Sequence, residues 1–336
     1  MIRTFLISAL FLMLLISCEK KQDLMVLRGE ALGTGYQVQF YSSEEFNAPA
    51  KFDSVIAAVN QSMSTYIPTS DISRINSGDT TVVVDNMFKE VLGLSRQVFE
   101  STGGYYDPTV GILVNAYGFG PGKAINTLDS MVLDSLRNYV GLDKIKLSSK
   151  GTIVKENKAV YLDFNSIAKG YCIDRVGEML EQNGVTNYLI ELGGELRAKG
   201  INLDKQKAWA VGIENIDAPV EDRGYTKIVS LTDKGMAGSG NYRKFRVDSL
   251  TGKKFVHTIN PLTGLAERSD ILSSTVIANT CAEADAYATA FMALGLEKSK
   301  KVLDSINGIE AYLLYAHHDS TNVYMSKGFE KYLVED

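Results

Sequence analysis

The stretch Asp163-Phe164-Asn165-Ser166-Ile167-Ala168-Lys169-Gly170-Tyr171 joins two different periodicities. Before it, residues 160–164 read as a short apolar strand. After it, residues 168–183 read as a helix that Gly184 closes, as a residue tolerant of positive φ does. Outward from this junction, strands and helices mix without a regular βαβ beat. Residues 26–41 alternate as strand, broken by the turn Gly33-Thr34-Gly35. Residues 52–64 repeat Val55, Ile56, Val59 and Met63 on one helical face, and residues 85–101 repeat Met87, Val91, Leu94 and Val98. A glycine-rich stretch, 103–122, and a short helix, 128–140, follow. Residues 188–192, 209–214, 227–231 and 274–278 read as strands, the last leading into a long helix over about 282–304. This order predicts an α+β fold. No G-x-G-x-x-G follows a first strand, which argues against a Rossmann domain.

The chain has 336 residues, 45% hydrophobic and 22% charged, enough for a large core in one big domain or two intimate ones. Its net charge of -5 argues against nucleic acid as a partner, because displacing counterions from phosphates needs a basic face. At the N-terminus, Arg3 precedes an apolar run, 5–16, too short to span a bilayer comfortably but suited to a secretory signal. The run ends in Leu15-Ile16-Ser17-Cys18, which matches a bacterial lipobox. The expectation is a signal peptide over 1–17, lipidation at Cys18, a polar tether to residue 25 and one functional domain over 26–336. A plain secretory signal or short membrane anchor is the alternative. Of the three cysteines, Cys172 and Cys281 remain in the mature chain, either paired or as two buried thiols.

Three segments carry chemistry. Between strand and helix, the Asp163–Tyr171 stretch offers free N–H groups and the Lys169 cation, a setting for phosphate or pyrophosphate. It also fits a plain junction with a solvated lysine. In Ala282-Glu283-Ala284-Asp285-Ala286-Tyr287-Ala288-Thr289-Ala290, Asp285 and Thr289 share one face of a nearly apolar helix. A buried carboxylate there needs a partner: a hard cation such as Mg²⁺, a helix end or an arginine. The third segment pairs a small-residue loop, Ala237-Gly238-Ser239-Gly240-Asn241-Tyr242-Arg243, with His257-Thr258-Ile259-Asn260-Pro261-Leu262-Thr263-Gly264. His257 is the general-base candidate, or else a structural histidine.

In order along some 270 residues, these segments resemble the ApbE flavin transferase family. The resemblance also rests on Gly29 to Tyr36, Met63 to Pro68, Ser70 to Asn76, Gly104-Tyr105-Tyr106-Asp107-Pro108-Thr109-Val110-Gly111, Glu191-Leu192-Gly193-Gly194-Glu195 and Trp209-Ala210-Val211-Gly212. It implies a T-fold-like architecture of mixed, largely antiparallel sheets packed with helices. It implies Mg²⁺-dependent transfer of FMN from FAD to a Thr or Ser of a partner protein, releasing AMP. Asp285, Thr289 and the Ser166 carbonyl would hold Mg²⁺; Asp163 and Lys169 would contact the dinucleotide. Leu32, Tyr66, Tyr105, Tyr106, Asp107 and Ile259 would line the flavin and adenine sites, and His257 would activate the acceptor hydroxyl. The implied partners are flavin-acceptor redox subunits at the same membrane, with the enzyme in the cell envelope, lipid-anchored on the inner membrane and facing the periplasm. FAD hydrolysis to FMN and AMP, or flavin binding without catalysis, are the rival readings. The family often has Thr-Ser-Gly-Asp where Gly238 to Asn241 stand, and Asp where Asn260 stands, which leaves less charge to orient His257. If Ser166 and Asp285 share one cation, their helix starts converge and Cys172 could reach Cys281.

Overall fold

The computed structural model describes residues 22–125, 128–216, 224–240, 245–247, 254–266, 269–318 and 320–334. The expected signal peptide and Cys18 lie outside them. The strands are β1 (Asp23–Ala31), β2 (Thr34–Ser42), β3 (Ile145–Leu147), β4 (Ile153–Lys155), β5 (Tyr188–Leu192), β6 (Glu195–Lys199), β7 (Trp209–Glu214), β8 (Tyr225–Leu231), β9 (Lys234–Gly240), β10 (Phe245–Val247), β11 (Lys254–Val256), β12 (Ile271–Ala278), β13 (Glu310–His317) and β14 (Ser320–Met325). Eight of them form one antiparallel sheet in the order β1-β2-β5-β6-β9-β12-β13-β14. The fold is α+β, as the mixed order of elements predicts.

Side-chain alternation divides the sheet into two working faces. Val276, Ala278, Ala311 and Leu313 enter the core beneath the helices. Their neighbours Ile277, Tyr312 and Leu314 point the other way, onto Trp209, Val211, Val229 and Leu231 of the β7–β8 hairpin. The helices Ala168–Gln182 and Cys281–Leu294 lie on the first face, so the molecule has three layers there. Helix Ala168–Gln182 ends as its sequence predicts. Gly184 has φ 78°, its N–H donates to Glu181, and the Val185 N–H donates to Leu180, the paired bonds of a Schellman cap.

Several elements differ from the sequence reading, each for a local reason. Strand β1 begins at Asp23 and pairs with β2, so paired structure starts before residue 26, where the domain was expected to begin. The β1–β2 turn sits at Leu32-Gly33, both at positive φ (51° and 76°), which keeps Thr34 and Gly35 in register with Ala31 and Glu30. Residues 160–164 are buried except Tyr161, which is half-buried, and they join no sheet beyond a single parallel bridge from Tyr161 to Val110. The Asn76 amide takes the place of a neighbouring strand, accepting from the Leu162 N–H and donating to its carbonyl, both at 2.8 Å. The small-residue segment 237–240 is not a loop but the end of β9, an interior strand. A helix start lies on the beginning of the same strand, where a Cβ on Gly235 would stand 2.4 Å from the Cys281 nitrogen; residues 241–243 of the expected loop lie outside the described residues. The long helix over 282–304 is two, Cys281–Leu294 and Leu296–Ser305, divided at Gly295 with φ 76°. Among the described residues no helix is long and apolar enough to cross a membrane.

Candidate active site

Two helix starts meet at one end of the sheet. Helix Ala168–Gln182 begins without a side-chain cap, and its Gly170 N–H donates to Asp285 Oδ2 at 3.0 Å. In an uninterrupted helix that N–H would close on the Ser166 carbonyl; here the carboxylate replaces it. The approach requires glycine, since a Cβ on residue 170 would lie 2.4 Å from the Cys281 carbonyl oxygen and 2.9 Å from Asp285 Cβ. Helix Cys281–Leu294 is fixed in turn by a capping box between Thr280 and Glu283 and by Asp174. Asp174 accepts from the Cys281 and Ala282 N–H groups, at 2.9 and 2.8 Å, and from Arg197 Nη1 at 2.8 Å.

The face of β6 opposite the hairpin carries Glu195, Arg197 and Lys199, two residues apart. They pair with Lys169 (2.5 Å), Asp174 (2.8 Å) and Glu181 (2.6 Å) along helix Ala168–Gln182. The charges on strand and helix are opposite at each rung, which sets the helix in register over the strand. Lys169 reaches Glu195 past the Gly193-Gly194 turn, where a Cβ on Gly193 would come within 3.2 Å of Lys169 Nζ and 2.7 Å of Thr34 Cγ2. The β1–β2 and β5–β6 turns therefore border the same site.

Asp285 and Glu195 are both buried, at 5% and 4% exposure. Burial raises both carboxyls. Glu195 is pushed up by burial and then by the Asp285 charge, with Lys169 opposing both. Lys169 likewise opposes the rise at Asp285. Two buried carboxylates facing one lysine leave an uncompensated negative charge, which a cation would relieve. The donors nearest to hand are the Asp285 carboxylate, the Ser166 carbonyl and the Thr289 hydroxyl, one turn beyond Asp285 and 3.5 Å from Ser239 Oγ. All are hard oxygens, the set that suits Mg²⁺. Among the described residues no group of three His, Cys, Asp or Glu side chains could hold a metal ion.

The other expected residues fall around this junction or away from it. Asp163 is buried, its carboxyl raised by burial, and it accepts from the Asn165 N–H at 2.8 Å. Tyr66 is 60% exposed, and the charge on Asp163 acts on its phenol. Tyr106 is buried, with its hydroxyl between Ser95 and Ser166. Leu32 occupies the β1–β2 turn. Asp107 instead folds its own loop: Oδ1 accepts from both the Thr109 N–H and hydroxyl, at 2.8 and 2.6 Å. The Tyr105 hydroxyl meets Lys298 Nζ at 2.5 Å. Ile259 packs in a separate cluster with Leu113, Tyr117, Leu133 and Ala266. His257 is half-buried at the end of β11. Asn260 Oδ1 accepts from the Leu262 and Thr263 N–H groups, so this oxygen holds the Pro261–Gly264 turn. Cys172 and Cys281 are free thiols. The helices converge as expected, but the thiols enter different cores, Cys281 toward the Met236 carbonyl at 3.8 Å and Cys172 into the main cluster. Two surface grooves, one lined by Lys51, Met87 and Arg175 and one by Asp134, Arg137 and Leu262, share no residue with the junction.

Sequence reasoning missed Glu195, Arg197 and Asp174 as a set. The signal was present: Asp174 is four residues after Gly170, as Asp285 is four after Cys281, so each pair shares one helical face.

The fold is an antiparallel α+β framework that sets a buried carboxylate against an uncapped helix start. The chain belongs to the ApbE family, whose model matches residues 32–313. It is 34% identical over 329 residues to the FAD:protein FMN transferase of Haemophilus influenzae, covering 94% of each chain. It is 30% identical over 338 residues to that of Vibrio cholerae, covering 98% of this chain and 99% of the relative. Its structure is similar to the flavin transferase ApbE from Vibrio cholerae, with TM-score 0.82 and 29% identity, covering 93% of this chain and 100% of the other. It is also similar to the Pseudomonas stutzeri flavinyl transferase ApbE in its apo form, with TM-score 0.80 and 27% identity over 93% and 97% of the two chains.

Proposed function

We propose that this chain is an FAD:protein FMN transferase that uses Mg²⁺ and works at the cell envelope. The observation that carries the reading is the meeting of Asp285 with the 166–170 helix start beside Lys169 and Glu195, a site for a cation and a pyrophosphate. The common activity named for its relatives supports it. The acceptor is a Thr or Ser hydroxyl of a flavin-bearing redox subunit. Its oxygen attacks the FMN-side phosphorus of FAD, the bond from that phosphorus to the bridging oxygen breaks, and AMP leaves. His257 takes the hydroxyl proton. Asp285, Thr289 and the Ser166 carbonyl would hold Mg²⁺, which supplies positive charge against the leaving phosphate when bound. Lys169 binds the dinucleotide, and the exposed ring of Tyr66 offers a face for a flat heterocycle. Cys18 carries the lipid, placing the enzyme on the inner membrane facing the periplasm.

The test is to incubate the full chain with FAD, Mg²⁺ and a candidate redox subunit, then weigh the products. The expected result is a covalent, fluorescent flavin on the subunit with one AMP per flavin attached. AMP without a labelled subunit would make the chain a hydrolase, and neither product would leave only a flavin binder.

A further inference from the structure

Strand β1 is one edge of the eight-stranded sheet, and it pairs with β2 along its whole length without a bulge. Its first residues are apolar and uncovered: Leu24, Met25 and Val26 are 39%, 48% and 40% exposed. Alternation puts them on both faces of the sheet. Met25 stands opposite Phe40, whose ring packs beneath the helices, and Leu24 opposite Tyr41, which packs toward the β7–β8 hairpin. Neither layer extends far enough to cover this end of the edge. Further along the strand, Arg28 and Glu30 are the exposed side chains. An edge that recruits another strand does so with main-chain groups along its length. Here the apolar character is confined to one tip, which suits an apolar surface instead.

That tip lies next to the expected anchor. Residues 19–22 separate Cys18 from β1, and the five Cα steps from Cys18 to Asp23 reach about 18 Å at most. A lipid on Cys18 therefore holds Leu24, Met25 and Val26 within reach of the bilayer. Asp23, Glu44 and Glu45 are exposed near the same end of the sheet and offset Lys20 and Lys21, so apolar contact rather than charge favours the approach.

From this placement we infer that the tip of β1 docks on the bilayer: Leu24, Met25 and Val26 enter the interface between headgroups and acyl chains and fix the orientation of the domain. The inference rests on the lipidation of Cys18 proposed above. The acyl chains supply the affinity; three half-exposed side chains are too few to hold the chain by themselves, and they supply the orientation. Strand β1 ends at the Leu32-Gly33 turn, which borders the candidate site. Eight residue steps of strand cover about 26 Å. A tip held at the bilayer thus carries the site away from it, to a height where the part of an acceptor subunit outside the membrane can enter.

The experiment places the purified, acylated full chain in vesicles of phosphatidylethanolamine and phosphatidylglycerol, with a nitroxide on Met25→Cys. Cys172 and Cys281 are buried and the Cys18 thiol carries the lipid, so one site takes the label. Electron paramagnetic resonance power saturation compares collisions with oxygen, which concentrates in lipid, and with a water-soluble nickel chelate. The same label on Glu30→Cys, toward the far end of β1, and on Val323→Cys, on the opposite edge strand β14, serves as the aqueous reference. The Met25→Cys label is expected to favour oxygen over nickel several-fold more than either reference, and to lose that preference when Cys18→Ala is added. Val26→Cys, on the other face of the strand, repeats the measurement should Met25→Cys fold poorly. Equal preference at all positions, with acyl groups on Cys18 seen by intact mass, overturns the inference and leaves the anchor standing. Protection of the tip labels from both reagents also overturns it, since protein then covers the edge. A chain without acyl groups on Cys18 refutes the lipid reading itself, and the inference with it.

Discussion

Asp285 illustrates how a single side chain can be more useful to the site than to the fold. Its carboxylate is buried, and the structure gives it one amide, from Gly170. Asp285→Ala removes an acceptor worth about 1 kcal/mol, but it also relieves a buried charge. The expected outcome is a melting temperature within about 5 °C of the parent, with Mg²⁺-dependent AMP release reduced more than about a hundredfold. Unchanged turnover at saturating FAD and Mg²⁺ would remove Asp285 from the site. Asp107 is the contrasting case. Burial pushes its carboxyl from 3.8 up to about 6, although Thr109 donates twice to Oδ1. The fold favours the protonated form, so the Asp107 contribution is complete below about 3.8 and is lost as pH rises through about 6. Asp107→Asn keeps the accepting oxygen without the charge. It should flatten this part of the pH–stability profile and raise stability at pH 7 by about 1–3 kcal/mol. Denaturant melts at pH 4 and 7 measure this, and equal profiles for the two proteins would show that the ionised carboxylate carries no burial penalty.

The elements that place the site are the helices Ala168–Gln182 and Cys281–Leu294, and their contact is held at two points. At one, Gly170 lets the backbones touch; at the other, Asp174 joins two N–H groups of the second helix to Arg197. Gly170→Ala places a methyl against main-chain atoms that cannot rotate away, so it should destabilise by about 1–3 kcal/mol and weaken metal binding together. Asp174→Ala strips both N–H groups and leaves Arg197 with its longer contact to Glu181, at 3.4 Å, in a largely buried place, an expected loss of about 3–5 kcal/mol. Urea titration separates the two from Asp285→Ala. If Asp174→Ala unfolds at the parent's midpoint, the helix is positioned by something else.

For the whole molecule, attachment and catalysis are separable under the proposed reading. Cys18→Ala is expected to move the chain from the membrane to the soluble fraction, with AMP release by the isolated protein unchanged; continued incorporation of labelled fatty acid would place the anchor elsewhere. Much of the remaining architecture was legible in the chain itself. The strand character of 188–192 and 209–214, the helical face of 85–101 and the closure by Gly184 all depend on neighbours within a few residues, and each appears in the structure. The pairing of Asp285 with Thr289 on one helical face is local in the same way. What the chain alone did not reveal depends on contacts made across long separations. The segment 237–240 looks like a loop until β12 pairs with it, and residues 160–164 look like a strand until the Asn76 amide takes the place of a partner strand. Cys172 and Cys281 share a helix junction, yet rotation about each helix axis sends their thiols into different cores. Residue types and short-range periodicity thus determined which side chains are candidates for the chemistry. Only the tertiary structure brought Lys169 against Glu195, because that approach depends on the missing Cβ at Gly193 and the strand beneath it.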